Sequence, residues 1–136
     1  MAWSFSSARP VYIQIAERIT ISVISGEYKP GAQIPSVRQL ALEAAVNPNT
    51  VQHAFSELEN NGLIVSKSTA GRYVTEDTTI IESCRQKQAQ LAVDEFVEKI
   101  QKLSMPKNEI ITMIGEKMEW IFLNAKTLPS PIKRII

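Results

Sequence analysis

Thiol and imidazole chemistry is nearly absent from this chain, which has one cysteine, Cys84, and one histidine, His53, in 136 residues. A lone cysteine cannot close an internal disulfide or supply a Cys-rich metal site. A lone histidine leaves most metalloenzyme and nucleophile–base schemes without parts. No run approaches the roughly 20 consecutive apolar residues that a membrane span needs. The first ten residues, which end in Arg9-Pro10, lack the basic segment and apolar core of a signal peptide. An excess of one charge is missing too. The formal net charge is +1, and residues 1–77 hold six basic against seven acidic side chains. The broad basic footprint common in nucleic-acid binders is therefore absent. No carboxylate pair, glycine-rich phosphate loop or Cys/His cluster stands at a usable spacing. These absences lead us to expect a soluble cytoplasmic protein that is not an enzyme, holds no metal or cofactor, and has no membrane partner.

What the chain does have is ordinary for a folded protein: 44% hydrophobic and 21% charged residues. Its length suits one domain or a small domain with an appendage. Proline and glycine are frequent up to about residue 75, and none occurs from Thr79 to Leu103. That shift predicts two parts, residues 1–77 and residues 78–136.

In the first part, Val11, Ile15, Ile19 and Val23 recur at helical spacing after Pro10, and Gly26 is placed to stop the helix. Tyr28-Lys29-Pro30-Gly31 reads as a turn. A second, short helix is predicted from Ser36, an N-cap whose capping box is completed by Gln39. A third is predicted from Asn47-Pro48, with Asn47 as cap and Pro48 in the first turn, where its missing N–H costs nothing. Val51, Ala54, Phe55 and Leu58 give that helix its apolar stripe, and Asn61-Gly62 ends it. Residues 63–67 and 72–75 then flank the polar turn Ser68-Thr69-Ala70-Gly71, a β-hairpin pattern. Helix, helix-turn-helix and hairpin together make a winged helix.

The second part predicts a long helix with Ala89, Ala92, Phe96, Ile100 and Leu103 on one face. Ser104-Met105-Pro106 breaks it, and another helix follows with Ile110, Ile114, Met118 and Ile121 on its apolar side. Two helices alone cannot enclose so much apolar surface. The simplest cover is a second copy of the chain, and these nine residues are the candidate dimer contacts. The same face leaves room for an unidentified small-molecule effector. Leu128-Pro129-Ser130-Pro131 cannot continue a helix. The expected fold is therefore mainly α with a small β-hairpin: an N-terminal winged helix-turn-helix followed by a two-helix dimerisation region.

A helix-turn-helix sets the start of its second helix against base edges and phosphates. Here that segment is Asn47-Pro48-Asn49-Thr50-Val51-Gln52-His53. Asn and Gln can pair in bidentate fashion with adenine, and Thr can bond a phosphate or touch a thymine methyl. Arg38, in the preceding helix, can pair with a phosphate or a guanine. At the hairpin tip, Ser68, Thr69 and Gly71 allow close backbone approach, while Lys67 and Arg72 supply charge.

The run Gly26-Glu27-Tyr28-Lys29-Pro30-Gly31-Ala32-Gln33-Ile34-Pro35-Ser36-Val37-Arg38-Gln39-Leu40-Ala41 resembles the hallmark segment of the GntR family of bacterial transcription regulators. Pro10 to Ile15, Asn47 to Ala54, Leu58-Glu59 and Asn61 to Ile64 continue the pattern, so the resemblance covers about residues 10–75. The short two-helix C-terminal part is similar to the YtrA-type branch. The resemblance implies a homodimeric repressor that binds a pseudo-palindromic operator in double-stranded DNA. It puts the contacts at Arg38, Asn47, Asn49, Thr50, Gln52 and the tip from Ser68 to Arg72. Branch members often neighbour membrane-transporter genes, which points to a transport operon. Two departures stand out. Pro48 occupies a position where many members carry a basic residue, and the tip lacks the Arg-rich Gly-x-Gly of other wings. Fewer positive contacts imply a shallower salt dependence, because each neutralised phosphate contributes about −0.9 to the slope of log affinity against log salt. The slightly acidic first part also fits a second reading, a winged-helix module that docks proteins without reading DNA.

Overall fold

A computed structural model describes residues 3–67 and 71–125. Its elements run α1 (Val11–Ile24), α2 (Val37–Ala44), α3 (Pro48–Asn60), β1 (Ile64–Ser66), β2 (Arg72–Val74), α4 (Thr78–Gln101) and α5 (Lys107–Leu123).

Each of the first three helices starts where its capping chemistry predicts. Pro10 precedes α1. Ser36 Oγ accepts the Gln39 N–H at 3.1 Å, and Gln39 Oε1 accepts the Ser36 N–H at 2.8 Å, so the capping box of α2 is complete. Asn47 Oδ1 accepts the Asn49 N–H at 2.8 Å at the start of α3. The turn between α2 and α3 passes through Ala45 in the left-handed region (φ 57°, ψ 49°).

The hairpin pairs Ile64 with Val74, Val65 with Tyr73 and Ser66 with Arg72. Sequence spacing does not show its third member. The Gly31 N–H donates to the Val74 carbonyl at 3.0 Å, the Val74 N–H to the Ala32 carbonyl at 2.8 Å, and the Ile34 N–H to the Arg72 carbonyl at 3.0 Å. The segment 31–34 thus lies along the outer side of β2 as a short rung, so β2 has a backbone partner on both of its edges. Gly31 starts this rung at φ +79°, where a Cβ would come within 2.9 Å of Glu76 Oε1.

One core unites these elements. Ile15 and Ile19 of α1, Leu40 of α2, Val51, Phe55 and Leu58 of α3, and Leu63, Ile64 and Val74 of the hairpin are almost completely buried. Each such side chain stabilises the fold by about 1.5–3 kcal/mol through removal from water. Trp3 and Phe5 pack against this core, as does the half-buried Cys84. The Arg18 guanidinium lies 3.9 Å from the centre of the Trp3 ring.

The chain divides into two compact units, residues 1–85 and 86–136, a division that falls two turns into α4. The reason is local. Ile81 is buried in the first core, Cys84 packs beside it, and Arg85 Nη2 donates to the Ile24 carbonyl at 3.1 Å. In the second unit α4 ends at Gln101, and Lys102 to Ser104 continue as turns with N–H bonds three residues back. Ser104 takes φ +53°, and α5 opens after Pro106. The tail segment 128–131 lies outside the described residues.

Candidate nucleic-acid interface

The stripe Val51, Ala54, Phe55 and Leu58 is buried, which turns the opposite side of α3 outward. Asn49, Gln52 and His53 are exposed there, and Thr50 is half-buried. The Asn47 side chain is engaged in capping, and its carbonyl accepts the Thr50 N–H at 2.9 Å. Pro48 lies in the first turn of the helix. The first turn of α3 therefore presents amides and a hydroxyl but no cation.

His53 has an aromatic partner that sequence spacing did not suggest. Its ring stacks on Tyr12 of α1 with centroids 3.6 Å apart and planes 10° from parallel. The stack ties the outer side of α3 to the start of α1.

Arg38 is exposed on the first turn of α2. It lines a cleft of about 690 Å³ whose walls include Tyr28, Ser36 and Phe55, together with Gly71 and Arg72 of the hairpin. Burial pushes the Tyr28 hydroxyl above its ordinary pKa, and the carboxylates of Glu27 and Glu43 add to the rise. In the hairpin, Lys67 Nζ stands 4.7 Å from the Tyr73 ring centre, and the Lys67 N–H donates to the Gly71 carbonyl at 3.1 Å. Gly71 takes φ +100°, and a Cβ there would come within 2.8 Å of Gln33 Nε2, so glycine alone suits this position. Ser68 and Thr69 lie outside the described residues.

Arg72 is half-buried and engaged within the chain. Its Nε meets Glu59 Oε1 at 2.5 Å, and its guanidinium lies 5.0 Å from the Phe55 ring centre. Glu59 is absent from the sequence-based site because the two residues are 13 apart and on different elements. Only the register of the hairpin against α3 brings them together.

In the second unit, Phe96 and Ile100 of α4 converge with Ile110, Ile114 and Met118 of α5 on one apolar groove of about 360 Å³. Ala89, Ala92 and Leu103 are exposed outside it, and Ile121 is half-buried. Exposed large apolar side chains in this unit also include Leu91, Val97, Ile111, Met113, Trp120 and Phe122. The Cys84 thiol belongs to the first core instead. Among the described residues no cluster of three or more His, Cys, Asp or Glu could hold a metal, and no helix is long and apolar enough to cross a membrane.

A capped helix-turn-helix followed by a two-stranded wing, with the second helix turned outward, defines a winged helix-turn-helix protein. Residues 11–74 match the family described as "Bacterial regulatory proteins, gntR family". The chain is 33% identical over 107 residues to the HTH-type transcriptional regulator YhcF of Bacillus subtilis, covering 79% of this chain and 88% of that one. It is 41% identical over 78 residues to the HTH-type transcriptional repressor YtrA of the same organism, covering 56% of this chain and 60% of that one. A solved GntR family transcriptional regulator from Listeria monocytogenes superposes with a TM-score of 0.76 at 34% identity, over 82% of this chain and 98% of that one. The chain belongs to the gntR family of DNA-binding transcription regulators, and among them it is of the YtrA type. These relatives are named as transcription regulators.

Proposed function

We propose that this protein is a cytoplasmic transcription repressor that binds a pseudo-palindromic operator as a homodimer. The observation that carries the reading is the polar, outward-facing start of α3, where Asn49, Gln52 and His53 are exposed on a helix anchored from behind by a fully buried stripe. Amide side chains at that end suit adenine edges, and Thr50 suits a phosphate or a thymine methyl. Arg38, Lys67 and Gly71 add flanking contacts, with Ser68 and Thr69 at the tip. Asn47 and Arg72 serve from within the chain. Repression is favoured by the relative named as a repressor, YtrA.

Dimer formation is supported by the apolar side chains exposed across α4 and α5. So much apolar surface is unusual on a monomer and calls for a cover. A two-fold dimer would set its recognition helices about 34–36 Å apart, or a multiple of that, to match successive turns of the duplex.

The test is titration of the protein onto DNA from upstream of its own operon, at several salt concentrations, against a scrambled duplex. Preference for the upstream DNA is expected. Equal affinity for both would exclude sequence-specific regulation and leave the protein-docking reading in its place.

A further inference from the structure

Glu59 stands in the last full turn of α3, and its carboxylate takes one group from each strand of the wing. Oε1 pairs with Arg72 Nε at 2.5 Å, and Oε2 accepts the Ser66 hydroxyl at 3.3 Å. Ser66 and Arg72 face each other as the last ladder pair before the tip. Phe55, one turn earlier on the same side of α3, lies under the Arg72 guanidinium. Two residues of the recognition helix thus grip the root of the wing from both strands.

We propose that Glu59 and Arg72 are positioning residues that fix the root of the wing, at Ser66 and Arg72, relative to the recognition helix, and that Arg72 is committed to this clamp rather than to a DNA phosphate. The inference rests on the DNA-binding function proposed above. Solvent exposure of the two side chains is 25% for Arg72 and 33% for Glu59. Water therefore screens the pair less than an open surface pair. The fork of a guanidinium also holds direction as well as charge, which an ammonium would not. A swing of Arg72 toward a phosphate would leave the Glu59 carboxylate uncompensated beside the DNA backbone, so the two like charges would repel. Held in place, the pair presents almost no net charge. Its contribution to binding is then geometric: it carries Lys67 and Gly71 at a set distance from the start of α3.

The test uses the full chain with Glu59→Gln, Arg72→Gln, the double variant and the charge exchange Glu59→Arg/Arg72→Glu. Operator affinity is followed at several salt concentrations, and backbone amide exchange of β1 and β2 is followed without DNA. Each single change is expected to lower operator affinity by about five- to tenfold, the scale of one lost charge-assisted hydrogen bond. The double variant should lose no more than the worse single. Exchange in the strands should quicken equally in both singles and recover in the charge exchange. The salt slope of the double variant Glu59→Gln/Arg72→Gln should equal that of the unmodified protein, because the pair it removes carries almost no net charge. A direct phosphate contact predicts otherwise. The double variant would then flatten the slope by about 0.9, Glu59→Gln would tighten binding by removing an anion, and strand exchange would not respond to Glu59→Gln. Any of those three results overturns the clamp. The unmodified protein separates the two questions. If it binds operator and scrambled DNA alike, the DNA-reading function fails, while the amide-exchange arm still decides whether the clamp exists.

Discussion

Tyr12 and His53 lie face to face, with ring centroids 3.6 Å apart, and join the first turn of α1 to the outer side of α3. His53 is exposed apart from this contact, so the stack is the main constraint on its ring. Aromatic pairs contribute about 0.5–1.5 kcal/mol beyond their buried area. Tyr12→Ala should therefore lower the melting temperature by several degrees, since about 1 kcal/mol shifts a domain of this size by 4–8 °C. Operator affinity should fall with it. Tyr12→Phe keeps the ring and should behave as the unmodified protein in both thermal melts and DNA titrations.

Arg38 and Asn49 separate DNA reading from protein docking. Arg38→Ala should weaken binding to all duplexes and reduce the salt slope by about 0.9, as expected for one lost phosphate contact. Asn49→Ala should weaken binding to the operator more than to scrambled DNA, by a discrimination of about 1–3 kcal/mol for a bidentate base contact. Both positions are exposed, so circular dichroism should report an intact fold. Binding unchanged in both variants would favour a module that docks proteins.

The groove between α4 and α5 gives a prediction about assembly. Phe96→Glu or Ile114→Glu would put a charge on the apolar face that a second copy is proposed to cover. Burying it unpaired costs several kcal/mol, which dissociation avoids. Sedimentation should show a dimer for the unmodified protein and monomers for either variant, with weaker operator binding. A monomeric unmodified protein would remove the dimer from the proposal.

Asp77 gives the acid side of the stability profile. Its Oδ1 accepts the Thr79 hydroxyl at 2.5 Å and the Thr79 N–H at 2.9 Å, next to the start of α4. These bonds, the hydroxyl's first, hold the carboxyl below its ordinary pKa of 3.8. A pKa lower in the folded state stabilises the fold above the unfolded value. That contribution is lost as pH falls below about 3.8 and through the folded value. Asp77→Asn should flatten the fall in stability below pH 4 in urea titrations, and Thr79→Val should act in the same direction.

The helices were legible because each starts with local chemistry that a sequence displays: Pro10, the Ser36–Gln39 box, and Asn47-Pro48. The hairpin was legible from its β-branched residues around a small polar turn. The rung at residues 31–34 was not, because three residues between Gly31 and Pro35 are too few to show a period. Tyr12–His53 and Glu59–Arg72 were hidden for a related reason. Each joins residues far apart in sequence, through helix crossing or strand register, and no spacing rule reaches that far. The exposed start of α3 was legible, since its buried stripe fixes which side faces out. The engagement of Arg72 was not, since composition shows a charge but not its partner.

The left-handed Ala45 between α2 and α3 has a consequence for engineering. A side chain in that conformation costs about 1–2 kcal/mol, a penalty that glycine escapes. Glycine's greater loss of chain entropy returns about 0.5–1 kcal/mol of this. Deleting one methyl group at the hinge of the helix-turn-helix, Ala45→Gly, should therefore raise the midpoint of denaturation rather than lower it. The bend itself would be unaltered, and a sturdier scaffold would result from a smaller residue.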